Sequence, residues 1–84
     1  MARIAVEKPF DDVKMALEEK GHEATMFQSA EKEDMEMVKG FDVGVVRALG
    51  DTSSEEFGFP VVSAEGMSVD EIVADVEERL GRLS

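Results

Sequence analysis

The chain has 84 residues, of which 43% are hydrophobic, and it contains no cysteine. This length makes one domain, residues 1–84, and the lack of cysteine excludes disulfides, zinc–thiolate sites and thiol catalysis. Twenty acidic residues against nine basic ones give a formal net charge of −11, which opposes binding to nucleic acid or to an anionic membrane, because both require cations on the protein.

The acidic composition and the N-terminus also bear on localisation. The first residues carry Arg3 but no apolar stretch before a small-residue cleavage site, so we expect no secretory signal and a cytoplasmic protein. The acidity itself is typical of a solvated surface. A basic protein partner and a high-salt cytoplasm are the alternatives.

The first half of the chain alternates predicted strands and helices. Residues 3–7 (RIAVE) form a short apolar run typical of a strand. Residues 9–21 (PFDDVKMALEEKG) follow helical periodicity and end at Gly21. Residues 22–27 (HEATMF) are predicted as a second strand, and residues 29–40 (SAEKEDMEMVKG) as a weaker helix, because few of them are apolar.

The second half contains the strongest predicted strand and the clearest helix. Residues 41–49 (FDVGVVRAL) and 60–64 (PVVSA) are predicted as the third and fourth strands. The last helix begins at a capping box formed by Ser68 and Glu71. One of its faces carries an apolar stripe, which predicts packing against the core. The stripe comprises Val69, Ile72, Val73, Val76, Leu80 and Leu83.

The order βαβαββα predicts an α/β fold. Strands that alternate with helices pair in parallel through right-handed crossovers, so we expect a small, open, mostly parallel four-stranded sheet with the flavodoxin-like or Rossmann-like order 2-1-3-4. In such sheets ligands bind at the carboxyl ends of the strands, where the order reverses between the first and third strands.

Four segments carry a resemblance to a known family. They are RIAVE at residues 3–7, ALEEKG at 16–21, FDVGVV at 41–46 and PVVSAEGMSVDEIVADVEERL at 60–80. Together they are similar to the YkuS-like family of uncharacterised small bacterial proteins. The resemblance implies the α/β fold and a bacterial cytosolic setting, but no activity and no functional residue. The family's loop after the third strand carries an Asp-x-Asn-x-x-Gly pattern, whereas residues 50–58 here read GDTSSEEFG.

The segment RALGDTSSEEFGFP, residues 47–60, supplies the loop candidates for a site, Gly50, Thr52 and Ser53. It lacks the glycine-rich phosphate patterns, so nucleotide binding is not expected. The single histidine, His22, belongs to the opposite edge of the predicted sheet, so we predict no serine–histidine catalysis and no catalytic residue. The alternative to a binding role is a packed crossover that contains one helical turn.

Three carboxylates follow predicted strands and are candidate metal ligands: Glu7, Asp51 and Glu65. Oxygen ligands of this kind suit Mg²⁺ or Ca²⁺. The alternative is that each is a solvated carboxylate of an acidic surface. Asp51 is also a candidate phosphoacceptor. The lack of a predicted fifth strand with a lysine argues against that role.

Two functional hypotheses follow from these observations. The first is a small non-catalytic cytoplasmic interaction or regulatory domain, a homodimer or the partner of another protein, which uses a sheet edge or the second helix with Met35 and Met37. The alternative is a domain that binds a divalent cation or a small ligand at the carboxyl edge of the sheet. No cofactor is predicted, and the sequence does not specify the ligand.

Overall fold

A computed structural model describes residues 2–28, 32–47 and 58–83 of the chain. Each predicted strand and helix has a counterpart in these ranges. The strands are β1 (Arg3–Glu7), β2 (Glu23–Phe27), β3 (Val43–Val46) and β4 (Val61–Ser63), and the helices are α1 (Asp11–Glu19), α2 (Lys32–Met37) and α3 (Val69–Leu83). Among these described helices, none has the length and apolar character that crossing a membrane requires.

The four strands form one parallel sheet with the order β2-β1-β3-β4, which confirms the predicted α/β fold and strand order. Ile4 in β1 lies opposite Ala24 in β2 and Val43 in β3. Val45 in β3 lies opposite Val62 in β4. Because all strands are parallel, their carboxyl ends share one edge of the sheet, called here the carboxyl edge, and their amino ends share the amino edge.

Successive side chains of a strand point to opposite faces, so the sheet has two buried sides. On one side, the α1/α3 face, Ile4, Val6 and Val45 pack with Leu17 of α1 and Val76 of α3. On the other side, the α2 face, a second cluster lies against Val38, which directly follows α2. Its members are Ala5, Phe27, Val38, Phe41, Val46, Phe59 and Val61.

Local sequence signals determine where the helices begin and end. In the α3 capping box, the Ser68 N–H donates to a Glu71 carboxylate oxygen and the Glu71 N–H donates to the Ser68 hydroxyl, both at 3.2 Å. Helix α1 is followed by Gly21, whose φ of +91° is a left-handed conformation that favours glycine. The predicted capping box and the glycine stop are therefore confirmed.

Strand β3 needs a glycine for a different reason. A Cβ atom at Gly44 would lie 2.8 Å from Phe59 Cε1 and 3.1 Å from Val61 Cγ1. The Phe59 ring therefore packs directly onto the β3 backbone on the α2 face.

Side-chain contacts join the strands at the amino edge. The Arg3 N–H donates to Asp42 Oδ2 at 2.9 Å, and the Arg3 guanidinium lies 3.6 Å from a Glu23 carboxylate oxygen. The same guanidinium stacks over the Phe41 ring, 4.3 Å from its centroid. These contacts connect β1 to β2 and to the segment that enters β3.

Candidate ligand-binding site

The sheet order locates the switch point, the position at which the direction of strand addition reverses. From β1 the chain adds β2 on one side and then β3 and β4 on the other. In open α/β sheets the crevice that binds ligands lies at the carboxyl edge of such a switch point. The strand order therefore confirms the predicted position of the switch point.

An open cleft of about 440 Å³ lies at this position. Pro9 and Phe10 come from the connection between β1 and α1, Arg47 directly follows β3, and Ala64 and Glu65 directly follow β4. Phe10 and Ala64 also belong to the core of the α1/α3 face, so the cleft lies on that side of the sheet. Arg47 and Glu65 are exposed.

Backbone hydrogen bonds hold the first wall of the cleft. The Lys8 N–H donates to the Phe27 carbonyl oxygen at 2.9 Å, which extends the pairing of β1 and β2 by one residue. The Phe10 N–H then donates to the Glu7 carbonyl oxygen at 3.1 Å. The Lys8–Pro9 peptide bond is cis. Phe10 is half-buried, with part of its ring against the core.

Glu7 connects the ends of β1 and β3. Its carboxylate oxygen Oε1 accepts a hydrogen bond from the Arg47 N–H at 2.7 Å. A bond to an ionised acceptor is stronger than one between neutral groups, so Glu7 fixes where the chain leaves β3. Glu7 is therefore a positioning residue for Arg47.

Lys8 and Arg47 lie at the carboxyl edge, and neither has a carboxylate partner among the described residues. Across the described ranges the ion pairs involve Arg3, His22, Lys14, Lys39 and Arg79, and include neither Lys8 nor Arg47. The pairing of β1 and β3 ends with Val6 and Val45, and Lys8 and Arg47 each lie two residues beyond that pair, at the same edge of the sheet. Both side chains are exposed.

The predicted metal ligands are only partly described. Glu65 lines the cleft and Glu7 lies at the end of β1, whereas Asp51 is outside the described residues, as are Gly50, Thr52 and Ser53. Glu7 and Glu65 follow strands that are separated by β3, a spacing of about 10 Å between strand axes. No group of three acidic or histidine side chains that could hold a metal ion occurs in residues 2–28, 32–47 and 58–83. The three-carboxylate site stays a prediction.

His22 precedes β2 at the amino edge, as predicted, and does not line the cleft. Its side chain is 18% exposed, and Nε2 lies 3.4 Å from a carboxylate oxygen of Glu77, which α3 places beside it.

The sequence reasoning also missed Arg47 and Phe10 as site residues. It considered the carboxylates and hydroxyls after the third strand, whereas the cleft contains the arginine at the start of that segment. A usable signal was present: Arg47 directly follows the strongest predicted strand, at the switch point, in a chain of net charge −11.

Comparisons with known proteins identify the family of the chain and supply no activity. A model of the uncharacterised protein family UPF0180 matches residues 2–79. The UPF0180 protein YkuS of Bacillus subtilis is 36% identical over 81 residues, which cover 93% of this chain and 95% of that protein. A UPF0180 protein of Bacillus cytotoxicus is 37% identical over 83 residues, with 95% of this chain and 100% of the relative covered. No solved structure matches the chain. The resemblance seen in the sequence is confirmed.

Proposed function

We propose a function from the geometry of the cleft, because the chain belongs to the uncharacterised protein family UPF0180 and the names of its relatives state no activity. The protein is a small, non-catalytic cytoplasmic domain that binds a small ligand at the carboxyl edge of its sheet and acts in regulation. The cleft at the switch point is the observation that supports this proposal.

The position and size of the cleft favour a small molecule. Open α/β sheets bind ligands where the strand order reverses, and this cleft lies there. Its volume of about 440 Å³ is in the range of small-molecule sites, roughly 300–1,000 Å³. Of its described lining residues, three are apolar and two are charged, a mixture that combines contact area with recognition of specific groups.

The lining residues favour binding rather than catalysis. Among the described residues, the cleft is lined by no histidine and by no hydroxyl or thiol side chain. A nucleophile with a base within hydrogen-bond distance is the minimum for covalent catalysis. His22 lies at the opposite edge of the sheet, which leaves the cleft without that base.

An amide-resolved NMR titration tests this function. The labelled protein is titrated with a panel of small metabolites grouped as anionic, neutral and cationic, and separately with Mg²⁺ and Ca²⁺. We expect at least one compound to give saturable shifts at residues 9–10, 47 and 64–65. The amides of residues 2–3 and 41–42 at the amino edge are the internal control. Shifts that are uniform over both edges, for every compound, would refute a ligand site in the cleft.

The divalent-cation alternative has weaker support in this geometry. Arg47 follows β3, between the strands that precede Glu7 and Glu65, and its positive charge opposes a cation there. One Glu7 oxygen already accepts the Arg47 N–H. Saturable chemical-shift changes of the Glu7 and Glu65 amides with micromolar Mg²⁺ or Ca²⁺ would establish the cation site instead.

Protein binding is the second candidate function, and a groove between α1 and α3 favours it. The groove has a volume of about 320 Å³, an apolar floor and mostly acidic walls, which suit a basic segment of another protein. It is lined by Ala16, Glu19, Lys20, Asp70, Val73, Ala74 and Glu77.

Met37, which is 49% exposed on α2, offers a separate contact for a second copy. Sedimentation equilibrium tests the homodimer: a monomer mass at the highest concentration would contradict it.

A further inference from the structure

We propose that the cleft recognises a small carboxylate with a flat apolar body, the carboxylate on Arg47 and the body against Phe10 and Pro9. This inference rests on the small-ligand function proposed above and names the chemical class of the ligand. Three features support it: the charges of the described side chains, the pairing of the strands and the residues that line the cleft.

The distribution of ion pairs is the first observation. In a chain of net charge −11, carboxylates are abundant, and Arg3, Lys14, Lys39 and Arg79 each lie 3.1–3.6 Å from one. Lys8 and Arg47 at the carboxyl edge, and Lys20 after α1, have no such partner among the described residues. Of these three cations, Arg47 lines the cleft, where its positive charge can meet an external anion.

The two charges follow neighbouring strands at the same edge of the sheet. Val6 and Val45 are the last paired residues of β1 and β3, and Lys8 and Arg47 each lie two residues beyond them. The Lys8 N–H is bound to the Phe27 carbonyl oxygen, and the Arg47 N–H to the Glu7 carboxylate. The two backbones are thus already held, and the two side chains are exposed. A ligand therefore has to order only the side chains, which lowers the entropic cost of binding.

The properties of arginine favour a carboxylate. The guanidinium group is planar and its N–H donors match the two oxygens of a carboxylate. A doubly charged phosphate meets stronger repulsion from Glu65, which lines the same cleft. No glycine is among the described residues that line the cleft, so these residues do not provide the close backbone approach of a phosphate cradle.

The apolar residues of the cleft specify the rest of the ligand. Phe10, Pro9 and Ala64 line the cleft next to Arg47. The Phe10 ring is half-buried, so one part of it is supported by the core and another part is accessible. A flat apolar body packs well against an aromatic ring whose position is fixed by the protein.

Titration with benzoate tests the proposal by NMR. Benzamide has the same shape without the charge, and inorganic phosphate has the charge without the body. Arg47→Gln removes the proposed carboxylate partner, and Arg3→Gln is the matched control at the amino edge. We expect saturable benzoate shifts at residues 8–10, 47 and 64–65, with a dissociation constant about tenfold weaker in Arg47→Gln. Arg3→Gln should bind benzoate within twofold of the original chain, and benzamide should not saturate.

Three results would overturn the proposal: an unchanged benzoate affinity in Arg47→Gln, equal binding of benzamide, or phosphate binding in the cleft where benzoate fails. Saturation of the cleft by neutral or cationic compounds but not by benzoate would overturn the carboxylate class and leave the small-ligand function standing. A panel in which no compound of any charge binds the cleft would overturn both.

Discussion

The two edges of the sheet use the same kind of residue in opposite ways. At the amino edge, the Arg3 guanidinium pairs with Glu23 and stacks on Phe41. At the carboxyl edge, the Arg47 backbone is held by Glu7, while its guanidinium borders a cleft and forms no ion pair within the described ranges. The Arg3 side chain therefore stabilises the fold, whereas the fold holds the Arg47 backbone and leaves its side chain at the cleft.

This difference separates stability from binding. An arginine that contacts a carboxylate and an aromatic ring of its own chain contributes to the free energy of unfolding. An arginine without such contacts contributes little to stability and stays available to a ligand. Substitutions at the two edges should therefore affect different measurements, and four predictions test this.

The largest loss of stability is expected for a substitution in β3, the strand that runs between the amino edge and the carboxyl edge beside β1. Gly44→Val adds a branched side chain where even a Cβ atom would lie 2.8 Å from Phe59 Cε1, so we expect a loss of roughly 2–3 kcal/mol in the free energy of unfolding. Urea unfolding measures it. Gly81→Ala is the control, because a Cβ there has no atom within 4 Å, and its stability should equal or exceed that of the original chain. Similar midpoints for both variants would contradict the close packing of Phe59 on β3.

The next effect concerns the bond that positions the cleft. Glu7→Ala removes the acceptor of the Arg47 N–H, and we expect a loss of about 1–2 kcal/mol together with faster hydrogen exchange at the Arg47 amide. Glu7→Gln keeps an acceptor oxygen and should lie between Glu7→Ala and the original chain. Unchanged exchange of the Arg47 amide in Glu7→Ala would show that the carboxylate does not hold the end of β3.

A smaller effect is expected at the amino edge. Arg3→Gln removes an exposed ion pair and a stacked cation, worth together about 0.5–1 kcal/mol. Since salt screens the ion pair, the difference from the original chain should narrow in high salt. Urea unfolding at low and high salt measures both. A stability equal to the original chain at low salt would mean that Arg3 does not join the strands energetically.

The smallest stability effect is expected for Arg47→Gln, within about 0.5 kcal/mol of zero, because its side chain has no ion-pair partner in the described part of the chain. Urea unfolding of Arg47→Gln and Arg3→Gln side by side compares directly how much each arginine contributes to the free energy of unfolding. If Arg47→Gln loses as much stability as Arg3→Gln, the guanidinium serves the fold, and the contrast between the two edges fails.

The fold followed from the sequence because its signals are local. Alternating apolar runs and helical periodicity predicted each strand and helix, and the capping box predicted the start of α3 at Ser68. Strands interleaved with helices then required parallel pairing, which restricted the topology to few orders. The predicted third strand extends to residue 49, whereas β3 ends at Val46 and residues 48–49 lie outside the described ranges.

The site was only partly predictable because its residues are distant in the chain. Its position followed from the strand order, and Glu65 was correctly named as lying at that edge. The bond from the Arg47 N–H to Glu7 joins residues 40 positions apart, and no spacing rule indicates it. The contact of His22 with Glu77 spans 55 positions and escaped the sequence reasoning for the same reason.

The anchoring of β3 and β4 has a consequence for protein engineering. The chain enters residues 48–57 from Arg47, held by Glu7, and leaves them into Gly58 and Phe59, whose ring packs on Gly44. These two contacts give protein engineering fixed attachment points on either side of residues 48–57, at which a replacement segment of chosen length can be joined.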